Sequence, residues 1–165
     1  MKVLVAAGSK YGSTREVAQI IGKELAVLGF EVDIMDAHEV LSVVAYDAAV
    51  IGSAVYGGLW RRDAEELMRD HAPVLRHREV WTFSVGIETI VSEGQPKDEA
   101  YKLSDTVNAH EHKRFTGALD PSKLNVGEKA LIRALDPPLG DFRDFAEIRA
   151  WAQGIGAVLA ERAAL

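Results

Sequence analysis

The opening stretch, Val3 to Leu28, leaves few folds open to this chain. Val3-Leu4-Val5-Ala6-Ala7 is an unbroken apolar run ended by Gly8, as in a strand buried on both faces. Gly8-Ser9-Lys10-Tyr11-Gly12-Ser13-Thr14 follows, small and hydroxylated, with two glycines. Val17, Ile20, Ile21, Leu25 and Leu28 then recur at helical spacing until Gly29 stops the pattern. Ser13, with Glu16 three residues on, predicts a capping box at the helix start. A strand, a hydroxyl-rich loop and a helix N-terminus in this order make an anion site. Free backbone N–H groups and the positive end of the helix dipole face the loop. The loop lacks the Gly-Lys-Ser/Thr ending of a P-loop and the G-x-G-x-x-G of a dinucleotide fold.

Charge and composition remove several classes. The net charge of −6 offers no basic excess to neutralise nucleic-acid phosphates or an anionic lipid surface. No run is long and apolar enough to span a membrane, and the N-terminus has no signal-peptide layout, so a cytoplasmic protein is expected. The absence of cysteine removes thiol catalysis, disulfides and thiolate metal sites. With 165 residues, 48% of them hydrophobic, one domain over 1–165 with a sizeable core is expected.

Further on, Phe30 to Met35 alternates apolar and acidic residues, as an edge strand does. Ala48-Ala49-Val50-Ile51-Gly52 predicts a buried strand, with Ser53 to Trp60 as the loop at its end. A helix with Ala64, Leu67, Met68 and His71 on one face follows, Pro73 falling near its end. Val80 to Val85 predicts a fourth strand closed by Gly86, then Ser92 to Lys97 a polar loop and Asp98 to Ala109 a helix. Lys113 to Leu119 suits a fifth strand. An irregular inserted segment at about 121–141, with a helical piece from Glu128 to Leu135, precedes the last helix. That helix is expected to line one face with Phe145, Ile148, Ala152, Ile155 and Leu159, capped by Asp144.

Apolar strands alternating with helices imply a parallel sheet covered on both faces. Right-handed crossovers and five strands fit the order 2-1-3-4-5, in which ligands sit at the carboxyl ends of strands one and three. Those ends are Ser9–Thr14 and Ser53–Trp60.

The pattern Ser9-x-x-Gly12-x-Thr14, with Ala18 and Ile21 on the helix behind it, resembles the phosphate loop of flavodoxins. Ala7 stands where that motif usually carries an aromatic residue. The resemblance implies a flavodoxin-like α/β three-layer sandwich and FMN as cofactor. Ser9, Lys10, Tyr11, Gly12, Ser13 and Thr14 would hold the phosphate. Ser53, Ala54, Val55, Tyr56, Gly57 and Gly58 would contact the flavin ring, and Ser84, Val85 and Gly86 its pyrimidine edge. By the same resemblance, the peptide at Gly57 would turn over on reduction to meet the protonated N5. Tyr56 and Trp60 offer stacking surfaces or, equally, aromatics covering the sheet edge. Gly57 and Gly58 serve the ring or only a turn, and Lys10 and Glu88 suit solvated positions. His110-Glu111-His112 would place two imidazoles on one strand face without a third ligand, so no metal site is expected. No Ser-His-Asp arrangement is evident, and no catalytic side chain is assigned.

The tail, Phe115 to Leu119, Leu131-Ile132-Arg133 and Gly140 to Phe145, together with Ile51 to Gly57, resembles the menaquinone-dependent protoporphyrinogen IX dehydrogenase branch of the flavodoxin superfamily. Val55 stands where that branch often has arginine, and the inserted segment is near neutral rather than basic. The expectation is an FMN-binding redox protein, an electron carrier or small oxidoreductase serving a redox partner protein or a quinone. Two alternatives stand beside it: a quinone-dependent protoporphyrinogen dehydrogenase with a porphyrinogen substrate, and a flavin-free interaction domain of the same fold.

Overall fold

The computed structural model describes residues 1–56, 58–86, 100–119, 122, 126–127, 129–130, 140–141 and 143–165. In chain order it forms β1 (Lys2–Gly8), α1 (Ser13–Val27), β2 (Glu31–Asp36), a 3-10 turn (Ala37–Glu39), β3 (Ala48–Tyr56) and β4 (Leu59–Trp60). Then come α2 (Arg62–Leu75), β5 (Glu79–Gly86), α3 (Ala100–Thr106), β6 (His112–Thr116), β7 (Ala118–Leu119), β8 (Gly140–Asp141) and α4 (Phe145–Ala163). Five strands run parallel in the order β2-β1-β3-β5-β6. This is the expected five-strand order, with the two-residue β4 added antiparallel at the end of β3.

Side chains alternate across the three central strands and build two cores. Leu4, Ala6, Ala49, Ile51 and Val80 pack with Leu67, Met68 and Leu75 of α2 and Leu103 of α3. Val3, Val5, Val50, Trp81 and Phe83 pack on the other face with Ile21 and Leu25 of α1 and Ile148, Ile155 and Leu159 of α4. Within the second core Gly52 lies beside Phe83 in register. A Cβ added at Gly52 would fall 2.3 Å from Phe83 Cζ, so the ring occupies the space a side chain there would need.

Several local expectations change. The capping box is not formed: Gly12 holds the cap position at φ +94°, Ser13 is the first helical residue, and no side chain caps α1. A left-handed glycine carries the chain into the helix and leaves the Ser13 hydroxyl away from the first-turn amides. β3 runs four residues beyond Gly52, so Ser53 to Tyr56 belongs to a strand and not to a loop. Pro73 lies inside α2, in its last turn, where only one hydrogen bond is lost. The buried face of α2 is completed by Ala72 and Leu75, while His71 is half-buried. Asp144 caps α4 as expected, accepting from Glu147 N–H at 3.0 Å. Phe145, at the first position of that helix, is exposed beneath the Arg143 guanidinium. The helical piece expected at Glu128 to Leu135 and the loop Ser92 to Lys97 lie largely or wholly outside the described residues.

The segment between β2 and β3 is fastened by Tyr46, whose hydroxyl donates to Asp33 Oδ2 at 2.7 Å. Burial first, and then the hydrogen bond to Asp33, push its phenol up to about 12. Below about pH 10 the phenol is neutral in the folded and the unfolded chain, and its contribution is complete. Above that the unfolded chain ionises first, so stability is lost as pH rises toward the folded value. The urea midpoint of the wild type is therefore expected to fall more between about pH 8 and about pH 11 than that of Tyr46→Phe.

Candidate functional site

Gly8 of β1, Ser53 of β3 and Ser84 of β5 stand in one register row across the sheet. The loops after these strands therefore leave at the same level, and three widely separated stretches meet at one edge. Beyond Gly8 the chain turns through Ser9 to Gly12, where Ser9 Oγ accepts from the Gly12 N–H at 3.1 Å. The first helical hydrogen bond runs from Glu16 N–H to Gly12 C=O. The amides of Ser13, Thr14 and Arg15 precede it, and no side chain caps them. Thr14 is 1% exposed, buried at the start of the helix. Unspent donors at the positive end of a helix make a receptor for an oxyanion. Lys10 is exposed, with its ammonium over the Tyr11 ring.

The second stretch is a hairpin pairing Val55 with Trp60 and Tyr56 with Leu59. Gly58 turns it at φ +81°, a conformation that favours glycine. Gly57, the Tyr56 side chain and Glu88 lie outside the described residues. Ser53, Ala54 and Val55 are buried. The Ser53 hydroxyl donates to Ala54 C=O and accepts from the Arg61 N–H at 2.8 Å, so it holds the hairpin's exit from inside. Trp60 is not a free stacking surface. It is 6% exposed, and its indole Nε1–H donates to Ser84 Oγ at 2.8 Å.

From Ser84 a chain of polar groups continues beneath the site. Ser84 Oγ lies 3.0 Å from His112 Nε2, and His112 Nδ1 lies 2.8 Å from Thr82 Oγ1. Thr82 Oγ1 donates in turn to Ser104 Oγ at 3.0 Å. An indole N–H can only donate, so the set closes with Ser84 donating to Nε2 and Nδ1–H donating to Thr82. Tyr101 packs edge-on to the His112 ring at 4.7 Å. Ser84 thus serves the site through the hairpin it anchors. Val85 is buried in the core toward α1 and α4, and the Gly86 carbonyl accepts from Gly117 N–H. His110 and His112 do not share a site: His110 bonds Glu79 and stacks on Trp81.

Cations border the loop on two sides. Arg143 forks onto Asp141, donates to Glu16, and reaches the Ser13 carbonyl. The carboxyl of Asp141 is held below its ordinary value by these hydrogen bonds from Arg143. Arg61 differs. Its Nε is buried and has no hydrogen-bond partner, alone among the buried side-chain atoms of the described residues. Asp36, His38 and Glu39 converge within 4.8 Å, but Arg15 already grips Asp36 with two hydrogen bonds of 2.8 Å, which lower that carboxyl's pKa. The uncapped first-turn amides and the unpartnered Arg61 Nε fit a phosphate-bearing cofactor.

The flavodoxin domain model matches residues 4–144. This chain belongs to that family. The flavodoxin match agrees with the fold, since an archaeal flavodoxin superposes with a TM-score of 0.66 at 12% identity, covering 97% of this chain and 99% of that one. Rubredoxin oxygen:oxidoreductase from Desulfovibrio gigas superposes with a TM-score of 0.71 at 12% identity, over 99% of this chain and 37% of that chain. Protoporphyrinogen IX dehydrogenase [quinone] of Escherichia coli K12 is 29% identical over 89 residues, 53% of this chain and 49% of the relative. The matched region thus spans about half the length of that curated relative. Flavodoxin domains bind FMN.

In this flavodoxin domain the sequence pattern located the first loop and missed three side chains. Arg61 looks like the first of a solvated Arg-Arg pair, and only its packing reveals a buried nitrogen. His112 carries no spacing signal because its partners Thr82 and Ser84 belong to another strand. Arg143 lies more than a hundred positions from the helix it clamps.

Proposed function

We propose that this protein binds FMN and works as a redox protein, passing electrons between partners through the bound flavin. The β1–α1 loop carries this reading: uncapped amides at Ser13, Thr14 and Arg15 at a helix N-terminus, in a chain of the flavodoxin family. When bound, FMN supplies the electron chemistry. The chain's own work is to bind and shield. Loop amides and the Thr14 hydroxyl hold the phosphate. The hairpin from Tyr56 to Trp60 flanks the ring, and the anchors at Ser53 and Ser84 fix that hairpin to the sheet. A net charge of −6 opposes an anionic reduced flavin and so lowers its potential.

The test is an FMN titration of the apoprotein, with riboflavin in parallel. Thr14→Ala is expected to weaken FMN by about tenfold, the worth of one hydrogen bond to a charged group, and to leave riboflavin unchanged. A wild type with no affinity for either flavin would remove the proposal.

A second reading rests on the Escherichia coli relative. Its name supports oxidation of protoporphyrinogen IX with a quinone as acceptor, a reaction that FMN bound in this chain would serve. Among the described residues no helix is long and apolar enough to cross a membrane. Turnover of protoporphyrinogen with a quinone, absent in a flavin-free preparation, distinguishes this dehydrogenase from a carrier.

A further inference from the structure

Arg61 carries the only buried side-chain nitrogen or oxygen of the described residues that has no hydrogen-bond partner. Neither ion pair nor side-chain hydrogen bond is formed by its guanidinium. Asp63, two residues on, is committed elsewhere: Oδ1 accepts from the Ala64 N–H, and Oδ2 lies 3.8 Å from His38 Nδ1. A guanidinium keeps its charge at any ordinary pH, and burying part of it unpaired is costly. Such a group in a native fold calls for an acceptor, and its charge favours an anion.

Its place identifies which anion. The Arg61 N–H is fixed to Ser53 Oγ, and Ser53 is level with Gly8 in the sheet. A Cβ built on Gly8 would lie 3.1 Å from Arg61 Cβ, so Arg61 packs directly on the residue that opens the β1–α1 loop. Gly8 has to be glycine for this approach, since the same Cβ would also meet Asp63 Oδ1 at 2.8 Å and Ala64 Cβ at 2.9 Å. We propose that Arg61 is the cationic partner of the FMN phosphate, completing from the α2 side the site that the first turn of α1 opens. The proposal rests on the flavin reading above and adds to it a charged ligand for the phosphoryl group.

The experiment compares wild type, Arg61→Gln and Arg61→Lys by titration of the apoprotein with FMN and with riboflavin, and by urea unfolding of the apoproteins. The expected result is a loss of about tenfold or more in FMN affinity for Arg61→Gln, partial recovery in Arg61→Lys, and unchanged riboflavin affinity. Because glutamine removes an unpaired buried charge, apo Arg61→Gln is expected to be at least as stable as the wild type. Equal losses for FMN and riboflavin, no loss for either, or a destabilised Arg61→Gln apoprotein would overturn the proposal. If the wild type takes up neither flavin, inorganic phosphate decides between the two ideas. A phosphate-induced rise in melting temperature that Arg61→Gln abolishes keeps the anion site while the flavin reading falls. A rise of the same size in both proteins, or none, overturns the site as well.

Discussion

Phe83→Ala is expected to cost about 3–5 kcal/mol of folding stability. The ring is fully buried between β5 and the α1–α4 layer, tilted against Phe115, edge-to-face with Trp151, and filling the space above Gly52. Gly52→Ala alone is expected to cost about 1–3 kcal/mol, because its new methyl group meets a ring with no room to retreat. The two losses are not independent. In the Phe83→Ala background the same methyl enters the cavity, and Gly52→Ala is expected to become neutral or stabilising. A double-mutant cycle in urea reads this directly. Additive losses would show that Gly52 is glycine for some reason other than Phe83.

The second large effect falls on the polar chain under the site. His112→Ala removes the link between Ser84 and Thr82 and leaves two buried hydroxyls short of a partner, at about 1–3 kcal/mol. Trp60→Phe keeps an aromatic ring at the position but removes the N–H that binds Ser84, together with part of the buried ring volume. Both variants are expected to loosen the pairing of Val55 with Trp60 while leaving the phosphate loop as it was. Flavin titration separates the two regions. FMN and riboflavin affinities should fall by the same factor in His112→Ala and Trp60→Phe, whereas Thr14→Ala should change the FMN value alone. In the apoprotein, hydrogen exchange at the Trp60 indole should quicken in His112→Ala. An indole as protected as in the wild type would show that the hairpin is held without the chain.

The sheet order and the first loop were legible because they are written locally. An apolar run can only be buried, and small hydroxylated residues between a strand and a helix have one common use. What escaped is written across strands. Trp60, after two glycines, has the look of a lid aromatic, but β4 pairs it back onto Val55 and drives its indole under Ser84. Ser53 and Ser84 sit in the right loops by number, yet their hydroxyls face the α2 side and are spent on the protein itself. The capping box failed for a local reason: a left-handed Gly12 takes over the helix entry, and Glu16, the carboxylate meant to reach back, is claimed by Arg143. Spacing predicts which residues are near one another along an element. Competition for a hydrogen bond is decided by residues the spacing does not see.

Arg143 also has a bearing on when the protein becomes competent. Its partner Glu16 is 127 positions earlier in the chain, and Ser13 is 130 positions earlier. β1 and α1 are synthesised well before Arg143, so the contacts that pin the first turn of α1 cannot form until the chain has been made at least that far. Closing a loop of that length belongs to the late part of folding. The cofactor loop is therefore expected to reach its final form late although it is made early, with flavin loading following the Arg143 contacts instead of guiding the first steps of folding.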